Sequence, residues 1–398
     1  MGHHIGSKSS IVPLIDRLNK YPVGLVDSEK LRAILALLFD EREAFVASRF
    51  PLEEATLPEL IRRTKIPGVE LQPILEQMAE KGLVMDLPYA GTTYYMLMPG
   101  LIGFFEFTFM KNRTDLPMEK IARLMTEYMN ENPREGMAKE FFGSRTPLTR
   151  SLVYEEHIPV TSEITTYESA REIIRQADYG AVGICYCRHK KEHLGESCRK
   201  GAPLEGICIS LGTAAKFMVR RGFAKQKDAG ELLAVLDRAR ELRLTHVTDN
   251  IRHKPSFICN CCSCCCELLA GVQAGYRQGI AKTPFLAVID REKCNGCGLC
   301  IAACNVKAIA LGAAEPGREK SEQFTALEKA SCLGCGACVP ACRRDAIRLV
   351  ERDKRPLPPK KRRDLFARLL REKGRLTPYL VSGARRKLVS LLGRKGDW

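Results

Sequence analysis

The chain has 398 residues, of which 45% are apolar and 28% charged, so a disordered or fibrous chain is excluded and two or three domains with their own cores are expected. Its net charge is +16, but positions 351–398 hold 16 Lys and Arg against 5 Asp and Glu, so that +11 lies in the tail and only +5 in the rest. Eighteen cysteines in so long a chain, opened by a polar stretch with no secretory apolar segment, predict reduced thiols holding metal in a cytoplasm rather than disulfides.

Taken in order, Asp27 to Phe39 reads as an amphipathic helix capped by Asp27 or Ser28, with Leu31, Ile34, Leu35 and Leu38 on one face. Glu41 to Phe50 reads as a second helix, stopped by Pro51. Thr56 is placed to cap a helix through Leu57, Leu60 and Ile61. Pro67-Gly68 turns into a helix over Val69 to Lys81, and Gly82 ends it. Leu83 to Met85 and Thr92 to Leu97 form a hairpin around Tyr89-Ala90-Gly91. This order of helices and hairpin, within residues 1–115, resembles a winged helix. A winged helix invites a DNA-binding reading, but Glu70, Glu76 and Glu80 stand against Lys81 on the helix that would enter the groove. DNA affinity depends on neutralising phosphates, so those charges argue against it. The apolar run from Tyr94 to Met110 is broken by Pro99-Gly100 and reads as a strand followed by a core helix, not a membrane span.

Residues 116–285 read as an α/β middle domain. Pro117 to Asn130 is an amphipathic helix and Phe141 to Val160 a loop-rich connection. Gly180 to Cys187 and Pro255 to Cys259 read as short buried strands, with helices over Gly212 to Arg221 and Asp228 to Leu242 between them. Ten cysteines sit here: Cys185, Cys187, Cys198 and Cys208, then Cys259, Cys261, Cys262, Cys264, Cys265 and Cys266. Six thiols within eight residues point to a further iron–sulfur cluster or two, or to a soft-metal site for zinc or copper. Cys185, Cys187, Cys198 and Cys208, joined by some of Cys259 to Cys266, are the expected ligand set, gathered at strand ends. Neighbouring cysteines of a regular strand face opposite ways and cannot all share one metal, unless a tight turn intervenes. His189 and His193 would share a helical face, but Lys190, Lys191 and Glu192 between them favour a solvated one. Arg188 is placed to donate toward a cluster sulfur.

Residues 286–352 carry the most specific signal. Cys294, Cys297, Cys300 and Cys304 repeat in spacing as Cys332, Cys335, Cys338 and Cys342. Three cysteines two residues apart wrap one cubane, and the fourth reaches across to the other. That rule gives Cys294, Cys297, Cys300 and Cys342 to one [4Fe–4S] cluster, and Cys332, Cys335, Cys338 and Cys304 to its neighbour. Gly296, Gly298, Gly334 and Gly336 suit a loop whose amides turn toward sulfur. A zinc site would instead use two separated pairs. The stretch from Ala287 to Arg352 resembles bacterial two-cluster ferredoxins. It departs from them at Asn305 and Arg343, where that family usually has proline. Arg343 and Arg344 should raise the potential of a nearby cluster. With the winged helix and both middle-domain cysteine groups, the chain from about Ile11 to Val350 resembles bacterial 4Fe–4S dicluster proteins, which implies a redox function without naming a substrate.

Residues 353–398 form a basic tail. Pro356 to Pro359 stiffen its start, and Asp364 to Glu372 and Ala384 to Leu392 read as basic amphipathic helices that could meet an anionic membrane or an acidic protein. The expected fold class is therefore α+β and multidomain. The expected function is cytoplasmic electron transfer between redox partner proteins in anaerobic metabolism, with a redox-sensing winged-helix regulator as the alternative. No catalytic residue or nucleotide loop is identifiable.

Overall fold

The computed structural model describes residues 8–159, 165–312 and 324–377. The chain opens with α1 (Lys8–Leu18), α2 (Glu29–Leu38) and α3 (Glu41–Ser48). The α2 helix starts where its sequence predicts: the Ser28 hydroxyl accepts the Leu31 N–H at 3.2 Å, and Leu31, Ile34, Leu35 and Leu38 are buried. Asp40 and Glu43 close a reciprocal capping box on α3. There follow β1 (Ala55–Thr56), α4 (Leu57–Thr64), α5 (Gly68–Glu80), β2 (Val84–Tyr89) and β3 (Thr92–Leu97), with the strands in the order β1-β3-β2. Thr56 occupies the cap position of α4, but its hydroxyl makes no capping bond. The hairpin turns on Ala90 and Gly91, both left-handed at φ 48 and 77, which matches the twist of the strands it joins.

Beyond β3 the expected core helix is reduced to one turn, α6 (Phe105–Thr108). Pro99, Gly100 and Gly103 break the run, and Ile102 adopts a left-handed φ of 52. No helix among the described residues is long and apolar enough to cross a membrane. Next come α7 (Met118–Asn130) and α8 (Met137–Phe142). The apolar core of this third continues into the next unit through Phe217, Met218 and Phe223. Phe107 meets the rings of Phe217 and Phe223 edge-on, with centroids at 5.7 and 5.1 Å. Beside them Asp86 of β2 is buried between Arg220 and Arg221, and Glu80 at the end of α5 pairs with Arg221 and Lys111.

The middle unit runs β4 (Thr149–Ser151), α9 (Ala170–Arg175), β5 (Gly180–Gly183), α10 (Tyr186–Glu192), β6 (Cys208–Leu211), α11 (Gly212–Arg220), β7 (Ala224–Gln226), α12 (Ala229–Glu241), β8 (Thr245–Asp249), β9 (Phe257–Cys261) and α13 (Glu267–Gln273). Its six strands form one sheet in the order β4-β8-β9-β6-β5-β7. Every ladder between them is antiparallel. The connections explain this, because α11 leads into β7, which returns antiparallel to β5. The segment read as loop-rich supplies the edge strand β4.

The last unit has β10 (Phe285–Ile289), α14 (Leu299–Ala303), β11 (Ile309–Leu311), β12 (Thr325–Leu327) and β13 (Ile347–Glu351), paired as β10 with β13 and β11 with β12. It shares its core with the middle sheet: Val153, Leu244 and Val247 pack in one cluster with Phe285, Ile347 and Leu349. Finally α15 (Arg362–Glu372) lies back on the body. Leu365 and Leu369 pack on Ile251, Arg362 pairs with Asp249, and Lys373 and Arg375 hold Glu140. Part of the apolar face of this tail helix is thus used within the chain. The second expected tail helix, over Ala384 to Leu392, lies outside the described residues.

Glu106 of α6 accepts the Gly103 N–H at 2.7 Å, and burial pushes its carboxyl up to about 7. A raised carboxyl makes the folded state hold the proton longer than the unfolded chain, so its contribution to stability falls as pH rises from 4.5 to about 7. Glu106→Gln should therefore unfold at higher temperature than the parent at about pH 8, by roughly 1–3 kcal/mol of stability, with the gap narrowing toward about pH 5. A gap independent of pH would refute this.

Candidate metal centres

The carboxyl-terminal cysteines sit in two loops of matching design. Gly296, Gly298, Gly334 and Gly336 all have positive φ, from 67 to 86. At Gly334 a Cβ would lie 2.0 Å from the Phe285 carbonyl oxygen, so only glycine fits. Backbone N–H groups aim at sulfur in both loops: Ala308 donates to Cys304 Sγ at 3.2 Å and Ala346 to Cys342 Sγ at 3.3 Å. Thr325 donates its N–H to Cys294 at 3.4 Å, and its hydroxyl lies 3.5 Å from Cys300. Burial pushes the Cys335 thiol up to about 11, opposed by the Ala337 N–H and reinforced by Cys304 and Cys332 nearby. Cys338 is raised by burial and then by Cys335, Cys304 and Cys332. Cys304 is thus brought among the sulfurs of the other run, while Cys294 and Cys297 bear on Cys300. The crossing of Cys304, the left-handed glycines and the inward amides fit paired cubanes.

The ten middle-domain cysteines separate into two sets. Cys259 and Cys261 alternate along β9 and so share a face. Cys185 and Cys266 occupy the N-cap positions of α10 and α13. In the first set Cys185 adjoins Cys187 and Cys208, Cys259 adjoins Cys208 and Cys261, and Cys266 adjoins Cys187 and Cys261. The six sulfurs ring a cleft that Tyr186, Arg188, Leu268, Cys262 and Cys265 also line. The flanking thiols hold Cys185 and Cys266 well below the usual thiol range and Cys259 at about 6. Cys187, Cys208 and Cys261 are pushed up, Cys187 by burial first and the others by their neighbouring sulfurs.

The second set is Cys198, Cys262, Cys264 and Cys265, whose sulfurs all lie within 4.8 Å of one another. The tight turn after β9 makes the division. It sends Cys262, Cys264 and Cys265 to one side, then returns Cys266 to the ring. The ligand set expected from the sequence therefore divides, with Cys198 apart from Cys185, Cys187 and Cys208.

Arg188 lies between the two sets and is 2% exposed. It donates to the Asn260 carbonyl at 3.0 Å, while its Nε and Nη1 have no partner. Burial works against its charge, yet the nearby Cys185, Cys262, Cys208 and Cys198 hold it above the ordinary guanidinium range. This is the role its position in the sequence suggests. Asn260 orients it: its amide donates to the Ile207 carbonyl at 2.7 Å, and its side-chain oxygen lies 2.6 Å from His246 Nδ1. The two other histidines do not form a solvated face. His189 is buried with Nδ1 2.7 Å from the Phe109 carbonyl, and its ring lies tilted against His193 with centroids 4.6 Å apart. Lys190 is also buried and pairs with Glu267. The helix turns this face toward Phe109 because α6 packs on it.

One side chain that the sequence marked only as a departure ties the two thiol regions together. Asn305 donates to the Arg243 carbonyl at 2.7 Å and to the Thr245 hydroxyl at 3.0 Å, and accepts the Ser263 N–H at 3.2 Å. Gln273 braces the same seam, donating to the carbonyls of Ser263 and Asn305 at 3.0 and 2.9 Å. Thr245 in turn lies 3.7 Å from Cys335 Sγ. A proline at 305 would supply none of the three bonds that the Asn305 side chain makes. Lys200 sits in the same seam, under the influence of Cys262, Cys335, Cys264 and Cys304, and burial lowers its ammonium. Arg343 and Arg344 are exposed, and Arg344 donates to the Lys293 carbonyl at 2.8 Å, lowering Cys294 less than that residue's own loop amides do.

Residues 293–346 match the family model of the 4Fe-4S dicluster domain. No curated protein matches the chain. The chain therefore carries an iron–sulfur domain within a mixed helix-and-sheet body.

Asn305→Ala would strip the seam of its side-chain bonds and leave the Ser263 N–H unpaired, at a cost of roughly 1–3 kcal/mol. Hydrogen exchange at the Ser263 amide should accelerate in the variant while exchange along β2 and β3 stays unchanged. An unchanged Ser263 rate would show that Asn305 does not hold the turn.

Proposed function

We propose that this protein transfers electrons through two [4Fe–4S] clusters and further thiolate-held metal in the middle unit. It acts in the cytoplasm as a carrier or a redox subunit of anaerobic metabolism, serving protein donors and acceptors. One cluster takes Cys294, Cys297, Cys300 and Cys342, the other Cys304, Cys332, Cys335 and Cys338. The observation that carries this reading is the position of Cys304 among the sulfurs of the second run, with backbone amides directed at both loops. When bound, such clusters supply single-electron chemistry; burial, amide donors and nearby charge set their potentials.

The order of the second centre follows from the seam. Thr245 and Lys200 adjoin Cys335 on one side, and Asn305 holds the Cys262–Cys265 turn on the other. Electrons reaching the inner cluster therefore have the middle-domain thiolates as their neighbours. The winged-helix-like unit serves as a docking element in this reading. The regulator alternative is less favoured, because the wing residue Asp86 and the α5 residue Glu80 are engaged by Arg220, Arg221 and Lys111.

Iron and acid-labile sulfide in anaerobically purified full-length chain should reach about eight of each or more, with a reduced-state EPR signal of coupled clusters. Cys338→Ala should lose about four irons and that coupling. Colourless, iron-poor protein would end the electron-transfer reading.

A further inference from the structure

We infer that Cys198, Cys262, Cys264 and Cys265 hold one mononuclear metal ion, a tetrahedral thiolate site for iron or zinc, separate from any iron–sulfur cluster. This stands whether or not the eight carboxyl-terminal cysteines carry cubanes.

The sulfur spacing is the first support. Four thiolates at about 2.3 Å from one ion stand roughly 3.8 Å apart at the corners of a tetrahedron. Here Cys198 lies 3.6 Å from Cys262 and 3.8 Å from Cys264, and Cys264 lies 3.7 Å from Cys265. A cubane spaces its ligands by the width of the cluster, because each sulfur binds a different iron. Among the described residues, no set drawn from the eight carboxyl-terminal cysteines gathers within the 4.8 Å that encloses these four.

The chain is built to keep that spacing. Three of the four sulfurs come from one turn, Cys262 to Cys265, whose central Ser263 is gripped at its N–H by Asn305 and at its carbonyl by Gln273. The fourth comes from the loop after α10, so the ion would close that loop onto the turn.

Charge provides an independent indication. Four thiolates around a divalent ion leave a net charge of about −2, which an interior tolerates only beside a buried cation. Arg188 is such a cation: 2% exposed, held at Nη2 by the Asn260 carbonyl, and with Nε and Nη1 unpartnered beside the cleft that Cys262 and Cys265 also line. A tetrahedral set of four sulfurs selects iron or zinc over harder ions, and binding releases the protons that the thiols carry.

The test uses full-length chain purified without oxygen, with metals quantified by mass spectrometry alongside sulfide. Cys264→Ala, at a half-buried turn position, and Cys198→Ala, from the separate loop, should each lose one equivalent of metal with no loss of sulfide. The EPR signal of the remaining clusters should persist. If the ion is iron, the parent should show a high-spin ferric signal on mild oxidation that both variants lack. If it is zinc, absorption-edge spectroscopy of the parent should show four sulfurs at about 2.3 Å, a readout that does not depend on a variant folding. Loss of several irons together with sulfide would make the site a cluster and overturn the inference, as would metal content unchanged from the parent. Absence of all clusters with the single ion retained would instead count against electron transfer alone.

Discussion

Sulfur crowding is the constraint on which this molecule depends. Eighteen cysteines occupy the middle and carboxyl-terminal units, most of them buried, and none forms a disulfide. Thiolates packed this closely repel one another and are costly to desolvate, so the interior must supply positive charge. It does so sparingly, with Arg188 between the two middle-domain sets and Lys200 at the seam with the ferredoxin-type loops. Among the described residues neither cation pairs with a carboxylate; backbone carbonyls hold both, with cysteines nearby. Metal held by thiols packed this way would couple folding to metal supply.

The carboxyl-terminal site was legible in the sequence because its information is local. Ligands two and three residues apart, with glycine between them, define a loop whatever surrounds it. The middle site was not legible to the same depth. Its cysteines come from α10, β6, β9, the N-cap of α13 and two connecting segments, and no spacing reports which of them meet. One local clue existed: Cys259 and Cys261 alternate on a strand, and the break in alternation at Cys262 marks the turn that divides the ligands. Asn305 shows the opposite case. It was visible as a departure from a familiar pattern, but its purpose lay in Arg243, Thr245 and Ser263, remote in sequence and adjacent in space.

The amino-terminal third illustrates how element order and role come apart. Its helices and hairpin follow the expected succession, since caps at Ser28 and Asp40 and the left-handed turn at Ala90-Gly91 are local signals. Its attachment is not local. Asp86, an acid on the inner part of a hairpin, is explained only by the two arginines of α11 that approach it. The tail helix follows the same logic, since its leucines find their partners on Ile251, a residue nothing near the tail in sequence points to.

Exposure differs between the two carboxyl-terminal loops, and the difference gives the molecule a direction. Cys297 is exposed, whereas in the equivalent place Cys335 is partly covered, with its carbonyl bonded to Tyr154 at 2.9 Å. The loop around Cys297 is the one that meets solvent. The same opening admits small oxidants. A cluster held there would be the first lost in air, with the covered loop around Cys335 following.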